Sequence, residues 1–224
     1  MTDDGDLMAP ADFLRELTEA RLLAIIRGSQ ADAAIATALT LIDAGFRFLE
    51  ISLGTDDALR VIEAVARRAG EAMIGAGTVL SVSDVTHARA AGSSFIVTPA
   101  IAPSVAESVR RRIPVIAGAM TPSEAYAAMQ AGATAVKLFP ASNGGPAFLS
   151  ALRDPLPATP FVPVGGVDLP AATDYWARGA VAVGIGSPLV KDAASGGDLG
   201  ALKRRARAFL DAAADAGSRS PSRP

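Results

Sequence analysis

The chain has 224 residues, half of them hydrophobic but only 5% aromatic, with a formal charge of −2, no cysteine and one histidine. That length suits a single domain around one large core, and the lack of cysteine excludes disulfides and thiolate chemistry. A near-neutral charge with no sustained basic stripe gives no footprint for nucleic acid, and one histidine cannot build a multi-histidine metal site.

Taken from the N-terminus, Met1-Thr-Asp-Asp-Gly-Asp6 lacks the basic stretch and apolar run of a secretory signal. No apolar run reaches the roughly 18 residues of a membrane span, so a cytoplasmic protein is expected. Pro10–Glu19 predicts a helix that leads into the first of eight short apolar runs. These predicted strands are Leu22–Gly28, Phe46–Leu53, Met73–Val79, Phe95–Ala100, Pro114–Ala119, Ala135–Ala141, Phe161–Val167 and Ala182–Ser187. Ala-rich amphipathic stretches lie between them, and this alternation predicts strand-helix units on a parallel sheet. The mean spacing of about 28 residues fits one strand-loop-helix-loop unit. The expected fold is therefore α/β, a (β/α)8 TIM barrel with a short extra N-terminal helix. It forms one domain over 1–224, ordered from about 10 to 214, with Gly217–Pro224 as a frayed tail. An open doubly wound sheet would follow from the same alternation.

Helix ends carry their own signals. Ser81-Val-Ser-Asp84 and Thr121-Pro-Ser-Glu124 offer hydroxyl caps followed by an acidic first turn. Gly45, Gly92, Gly132 and Gly179 each follow a helical pattern, where a left-handed residue ends a helix. His87 falls within one such pattern and is expected at the surface or at a helix end. Arg110-Arg-Arg112 and Lys203-Arg-Arg205 are expected on solvated helix faces.

Two charges interrupt the apolar runs: Lys137 within Thr134–Ala141, and Glu50 within Phe48–Leu53. An ionised group inside a buried strand costs several kcal/mol unless it is paired or changes protonation. A structural ion pair answers this, and so does an amine nucleophile with an acid/base partner. Barrel active sites lie at the C-terminal ends of the strands, so polar residues late in each strand are the candidates. Strands two and six lie across the ring from one another, and their inward side chains can meet at its mouth. A lysine attacks only as the neutral amine, so its free pKa near 10.4 must be lowered by burial or by a cation; Arg27 is the candidate cation. Attack on a ketone gives an iminium, an electron sink that lets the adjoining carbon–carbon bond break. Glu50, directly or through one water, is the candidate acceptor for the hydroxyl proton. Gly165-Gly166 and Gly184-Ile-Gly-Ser187 end strands seven and eight, where many barrels hold a phosphate on bare backbone N–H groups. Thr78 and Thr98 are either carboxylate donors or plain strand residues, with Thr78 favoured because Gly75 and Gly77 leave room beside it.

Taken together these segments resemble a known family, the class I 2-keto-3-deoxy-6-phosphogluconate and 6-phosphogalactonate aldolases, which include 4-hydroxy-2-oxoglutarate aldolase. The matching stretches run in order across about residues 22–190. They are Ala24-Ile-Ile-Arg-Gly28, Ala44-Gly-Phe46 leading to Leu49-Glu-Ile51, Ile74-Gly-Ala-Gly-Thr-Val79, Ile96-Val-Thr-Pro99, Val136-Lys-Leu-Phe-Pro-Ala141, Gly145-Pro146, Val164-Gly-Gly-Val167 and Gly184-Ile-Gly-Ser187. The resemblance implies that Lys137 forms the Schiff base and that Glu50 is the general acid/base. It implies that Arg27 and Thr78 hold the pyruvate carboxylate, that Pro99 and Phe139 shape the pocket, and that Gly165, Gly166 and Ser187 receive the phosphate. It also implies a barrel that is commonly trimeric, with no metal and no organic cofactor. Gly54 stands where the gluconate branch usually carries an arginine, which throws more of the carboxylate binding onto Arg27. Ala117-Gly118 replaces a Pro-Gly pair, and Ala100 replaces the asparagine common in the galactonate branch.

The expected activity is cleavage of a 2-keto-3-deoxy-6-phospho sugar acid to pyruvate and glyceraldehyde 3-phosphate. Its rivals are aldol cleavage of an unphosphorylated keto acid such as 4-hydroxy-2-oxoglutarate, and a phosphate-binding barrel that is an isomerase or a sugar-phosphate binder.

Overall fold

Eight short strands form one parallel sheet in the structure, a computed structural model that describes residues 8–218. They are β1 (Leu22–Ile26), β2 (Phe48–Ser52), β3 (Met73–Gly77), β4 (Phe95–Val97), β5 (Val115–Ala119), β6 (Ala135–Leu138), β7 (Phe161–Pro163) and β8 (Val183–Ile185). Each strand from β1 to β6 pairs in parallel with the next, and β8 pairs with β1. A parallel bridge between Val164 and Gly184 joins the remaining edges, with the Val181 N–H donating to the Phe161 carbonyl at 3.0 Å. The ring is closed, which removes the open doubly wound alternative.

Helix α1 (Pro10–Ala20) precedes β1. One helix then follows each of the first seven strands: α2 (Ala31–Ala44), α3 (Ala58–Ala66), α4 (Val82–Ala90), α5 (Pro103–Arg110), α6 (Pro122–Gln130), α7 (Gly145–Arg153) and α8 (Leu169–Ala177). The short α9 (Ser187–Val190) and the long α10 (Leu199–Ser218) follow β8. Both expected hydroxyl caps close full capping boxes, Ser81 with Asp84 and Thr121 with Glu124. The four expected helix-ending glycines have φ between 84° and 111°, a region costly for any residue with a Cβ. His87 is exposed in the last turn of α4. No helix among the described residues is long and apolar enough to cross a membrane.

Because strand side chains alternate, the sheet feeds two separate cores. Ala24, Leu49, Ile74, Ile96, Val115 and Val136 face outward and pack under the helices. Leu23, Phe48, Phe95, Ile116, Ala135 and Val162 face inward and fill the barrel. Helix α1 completes this inner core. Phe13 and Leu17, one turn apart on the same face, are fully buried among the inward residues. The Phe13 ring meets Phe48 edge-on at 5.4 Å and Phe95 at 5.1 Å. Burying a phenylalanine this completely contributes about 2–3 kcal/mol. α1 is thus a stopper in the N-terminal end of the barrel.

Three sequence expectations need correction. Most strands stop one to four residues short of their expected C-terminal ends, because the backbone leaves the ladder there to form the loops that carry Arg27, Thr78, Pro99, Phe139 and Gly165. At Gly217, where a tail was expected, the chain is still helical: α10 continues through Ser218, and residues 219–224 lie outside the described residues. The basic clusters are also more engaged than solvated faces. Arg110 and Arg111 both bond Glu107, and Arg205 donates to the Leu189 and Val190 carbonyls at the end of α9.

Candidate active site

The C-terminal half of the barrel interior is built by subtraction. Inward positions there hold glycine on three strands: Gly75 and Gly77 on β3, Gly118 on β5 and Gly184 on β8. Each is filled by a neighbour. A Cβ at Gly75 would strike the Phe95 ring, at Gly118 the Pro99 backbone, and at Gly184 the Val164 side chain. A Cβ at Gly77 would collide with the Glu50 carboxylate itself. Glu50 lies level with Ile25 and Gly75 in the ladder, and Lys137 lies level with Gly118 and Val162.

Into this thinned interior two charged side chains project from opposite walls. The Lys137 amine lies 3.9 Å from Glu50 Oε1, with the side chains 7% and 2% exposed. Glu50 Oε2 is buried and accepts no hydrogen bond. Leaving a buried acceptor unpaired costs about 1–3 kcal/mol, so this oxygen retains unused acceptor capacity inside the barrel. The Lys137 amine is also 5.2 Å from the centre of the Phe139 ring, within cation–π range. Phe139 is 37% exposed and stands at the mouth.

A second polar group occupies the rim above β1, β2 and β3. Arg27 donates from Nε to Ser52 Oγ at 3.3 Å and from Nη2 to Thr78 Oγ1 at 3.4 Å, while the two hydroxyls lie 3.1 Å apart. Thr78 sits at φ 62°, an unusual conformation for a β-branched residue and one that costs of the order of 1–3 kcal/mol. The Arg27 loop is pinned from behind. A Cβ at Gly28 would strike the Ala194 carbonyl, and the Ser29 N–H donates to Ser195 Oγ at 3.2 Å. A Cβ at Gly54 would lie 3.6 Å from Ser52 Oγ and 3.8 Å from Arg27 Nε, in ordinary contact.

The remaining sequence candidates fall around this pair of groups. Gly165 and Gly166 have φ of 101° and 74°, and a Cβ at Gly165 would press on the Phe139 ring at 3.2 Å. The Ser142 N–H donates to the Gly165 carbonyl at 3.0 Å, tying that loop to the segment following Lys137. Ser187 is exposed at the start of α9, on the adjoining loop after β8. Pro99 backs Gly118, beside Lys137. Thr98 is different. Its buried hydroxyl donates to the Ala100 carbonyl at 2.6 Å and accepts from the Gly118 N–H at 3.2 Å, so it staples the wall. Ser52, fully buried, was not among the sequence candidates for the site; its only sequence signal is that it shares an inward face with Glu50.

The chain is similar to known proteins along most of its length. The family model described as KDPG and KHG aldolase matches residues 14–204. A probable 2-dehydro-3-deoxy-6-phosphogalactonate aldolase of Rhizobium meliloti is 38% identical over 197 residues, covering 87% of this chain and 92% of that protein. The native KDPGal structure superposes with a TM-score of 0.82 at 35% identity, covering 88% of this chain and 96% of that one. The KDPG aldolase of Legionella pneumophila, solved with pyruvate captured at low pH as a covalent carbinolamine intermediate, gives 0.81 at 25% identity, covering 88% and 97%. With a family match spanning most of its length and a closed barrel of the same shape, this chain belongs to the KDPG and KHG aldolase family and is a carbon–carbon lyase.

Proposed function

We propose that this aldolase cleaves a 2-keto-3-deoxy-6-phospho sugar acid, of the gluconate or galactonate type, to pyruvate and glyceraldehyde 3-phosphate through a Schiff base on Lys137. The observation that carries the reading is the buried Lys137 amine 3.9 Å from Glu50 at the open end of the barrel. The covalent pyruvate adduct captured in the Legionella relative supports the same chemistry.

In this reading the neutral Lys137 amine adds to the C2 ketone and loses water to form an iminium. Glu50 takes the proton of the C4 hydroxyl, directly or through one water, and the C3–C4 bond breaks. Its electron pair moves into the iminium to give an enamine, and C4 departs as the aldehyde. Protonation of the enamine carbon gives the pyruvate iminium, which water hydrolyses. Arg27 and Thr78 hold the carboxylate as donors on the rim. Gly165 and Gly166, with no side chain to keep an anion off the backbone, receive the phosphate together with Ser187. Phe139 and Pro99 wall the pocket. The enzyme works as a cytoplasmic homotrimer.

The test is to incubate the protein with pyruvate and borohydride, measure the intact mass and map the modified peptide. A pyruvate-derived adduct on Lys137 is expected, and Lys137→Ala abolishes both adduct and cleavage. Glu50→Gln folds but turns over about 100-fold or more slowly, the scale of a lost general base. Wild-type cleavage by the Lys137→Ala protein would sink the mechanism.

A further inference from the structure

We propose that Ser52 is a positioning residue that fixes the direction of the hydroxyl protons at the rim, so that Thr78 offers its proton to the substrate carboxylate. This rests on the Schiff-base reading and on Arg27 and Thr78 as the carboxylate site. The argument is one of hydrogen-bond accounting. A hydroxyl has one proton to give and two lone pairs to accept with. Ser52 Oγ accepts from Arg27 Nε at 3.3 Å and from the Gly54 N–H at 3.3 Å. Both donors are N–H groups with no acceptor capacity, so both lone pairs are taken. Its contact with Thr78 Oγ1 at 3.1 Å is therefore satisfied in one sense only, with Ser52 donating.

The direction then propagates. Thr78 Oγ1 accepts from Ser52 and from Arg27 Nη2 at 3.4 Å, which fills its own lone pairs. Its proton is left over, with no acceptor among the described residues, next to the guanidinium of Arg27. The opposite assignment, Thr78 donating to Ser52, would bring three donors to an oxygen with two lone pairs. A rim set this way presents donors only. It welcomes a carboxylate, which accepts at both oxygens, and disfavours a group that must itself donate. Ser52 is fully buried and touches no substrate; it acts through Arg27 and Thr78.

The experiment measures trapping on Lys137 by cyanoborohydride as a function of the concentration of pyruvate and, separately, of pyruvamide, which replaces the carboxylate by a neutral amide. Ser52→Ala is expected to raise the half-saturating pyruvate concentration roughly tenfold, the scale of one hydrogen bond to a charged group. The value for pyruvamide and the maximal trapping rate stay near wild type. Ser52→Thr, which restores the hydroxyl, brings pyruvate back. Thr78→Val, which removes the last donor and leaves Ser52 in place, gives the same carboxylate-selective loss and serves if Ser52→Ala does not fold. Equal shifts for both ketones, or no shift in either variant, overturn the role of Ser52 while leaving the Schiff base standing. Absence of any adduct in the wild-type protein overturns the Schiff-base reading and this inference with it.

Discussion

Gly77 shows how much of this site depends on what is missing. Its backbone is not in the left-handed region, so glycine is needed there for space alone: the Glu50 carboxylate occupies the volume a methyl group would take. Gly77→Ala is therefore expected to push Glu50 off its line to Lys137. Activity should fall about 100-fold or more, as for loss of the proposed base itself, while the circular dichroism spectrum stays native. Near-wild-type turnover would show that Glu50 has other room. At this scale the sequence was readable where charge contradicted its surroundings, as at Lys137 and Glu50 inside apolar runs. It was readable again where small residues framed a hydroxyl, as at Thr78. At Ser52 it showed only a shared inward face with Glu50, since a serine at the end of a strand violates no local rule, and the meaning of Ser52 comes from its partners Arg27, Gly54 and Thr78. Thr98 lacks the small-residue frame of Thr78, and the partners separate the two further, because one hydroxyl is consumed by backbone and the other is not.

Among the elements, α5 has a pH-dependent anchor. Bonds from Arg110 and then Arg111 hold the Glu107 carboxyl down to about 2, and Arg111 also donates to Thr86 on α4 at 2.9 Å. A carboxylate whose pKa is lowered by folding stabilises the fold fully above its ordinary value and loses that contribution as pH falls through the folded value. Glu107→Gln should thus lower the melting temperature at pH 7, and the gap to wild type should close between pH 4.5 and 2. A gap that stays constant over that range would mean the glutamate acts by packing. The elements themselves were legible because periodicity, hydroxyl caps and helix-ending glycines agree with one another, and all eight strands fall where the apolar runs are. Their C-terminal ends were not, since residues such as Val79 and Phe139 continue an apolar pattern while the backbone has already turned away. The four-residue α9 was too short to leave a periodic signature, and its closure by Arg205 joins residues 15 and 16 positions apart.

For the whole molecule, the proposed trimer has a candidate face. Leu80 and Val82 before and within α4, Ile101 before α5, and Tyr126 on α6 are 42–56% exposed on successive units of the barrel, although large apolar side chains cost free energy in water. Light scattering is expected to give three times the chain mass of 22.7 kDa, and Ile101→Glu to shift the protein toward the monomer. A wild-type mass of one chain would count against assembly. The barrel was legible at this scale from the count and spacing of units, but closure needed the Val164–Gly184 bridge, which joins strands by a single pair that no local pattern announces.

The helix lodged in the N-terminal end of the barrel has a kinetic meaning as well. With Phe13 and Leu17 seated there, the interior is a dead-end street, and traffic enters and leaves past Phe139. In the proposed cleavage, with Lys137 as the Schiff-base lysine, the fragment bonded to it lies deepest and the phosphorylated fragment lies toward the exit. The aldehyde must therefore depart before pyruvate can, and in the synthetic direction pyruvate must be parked first.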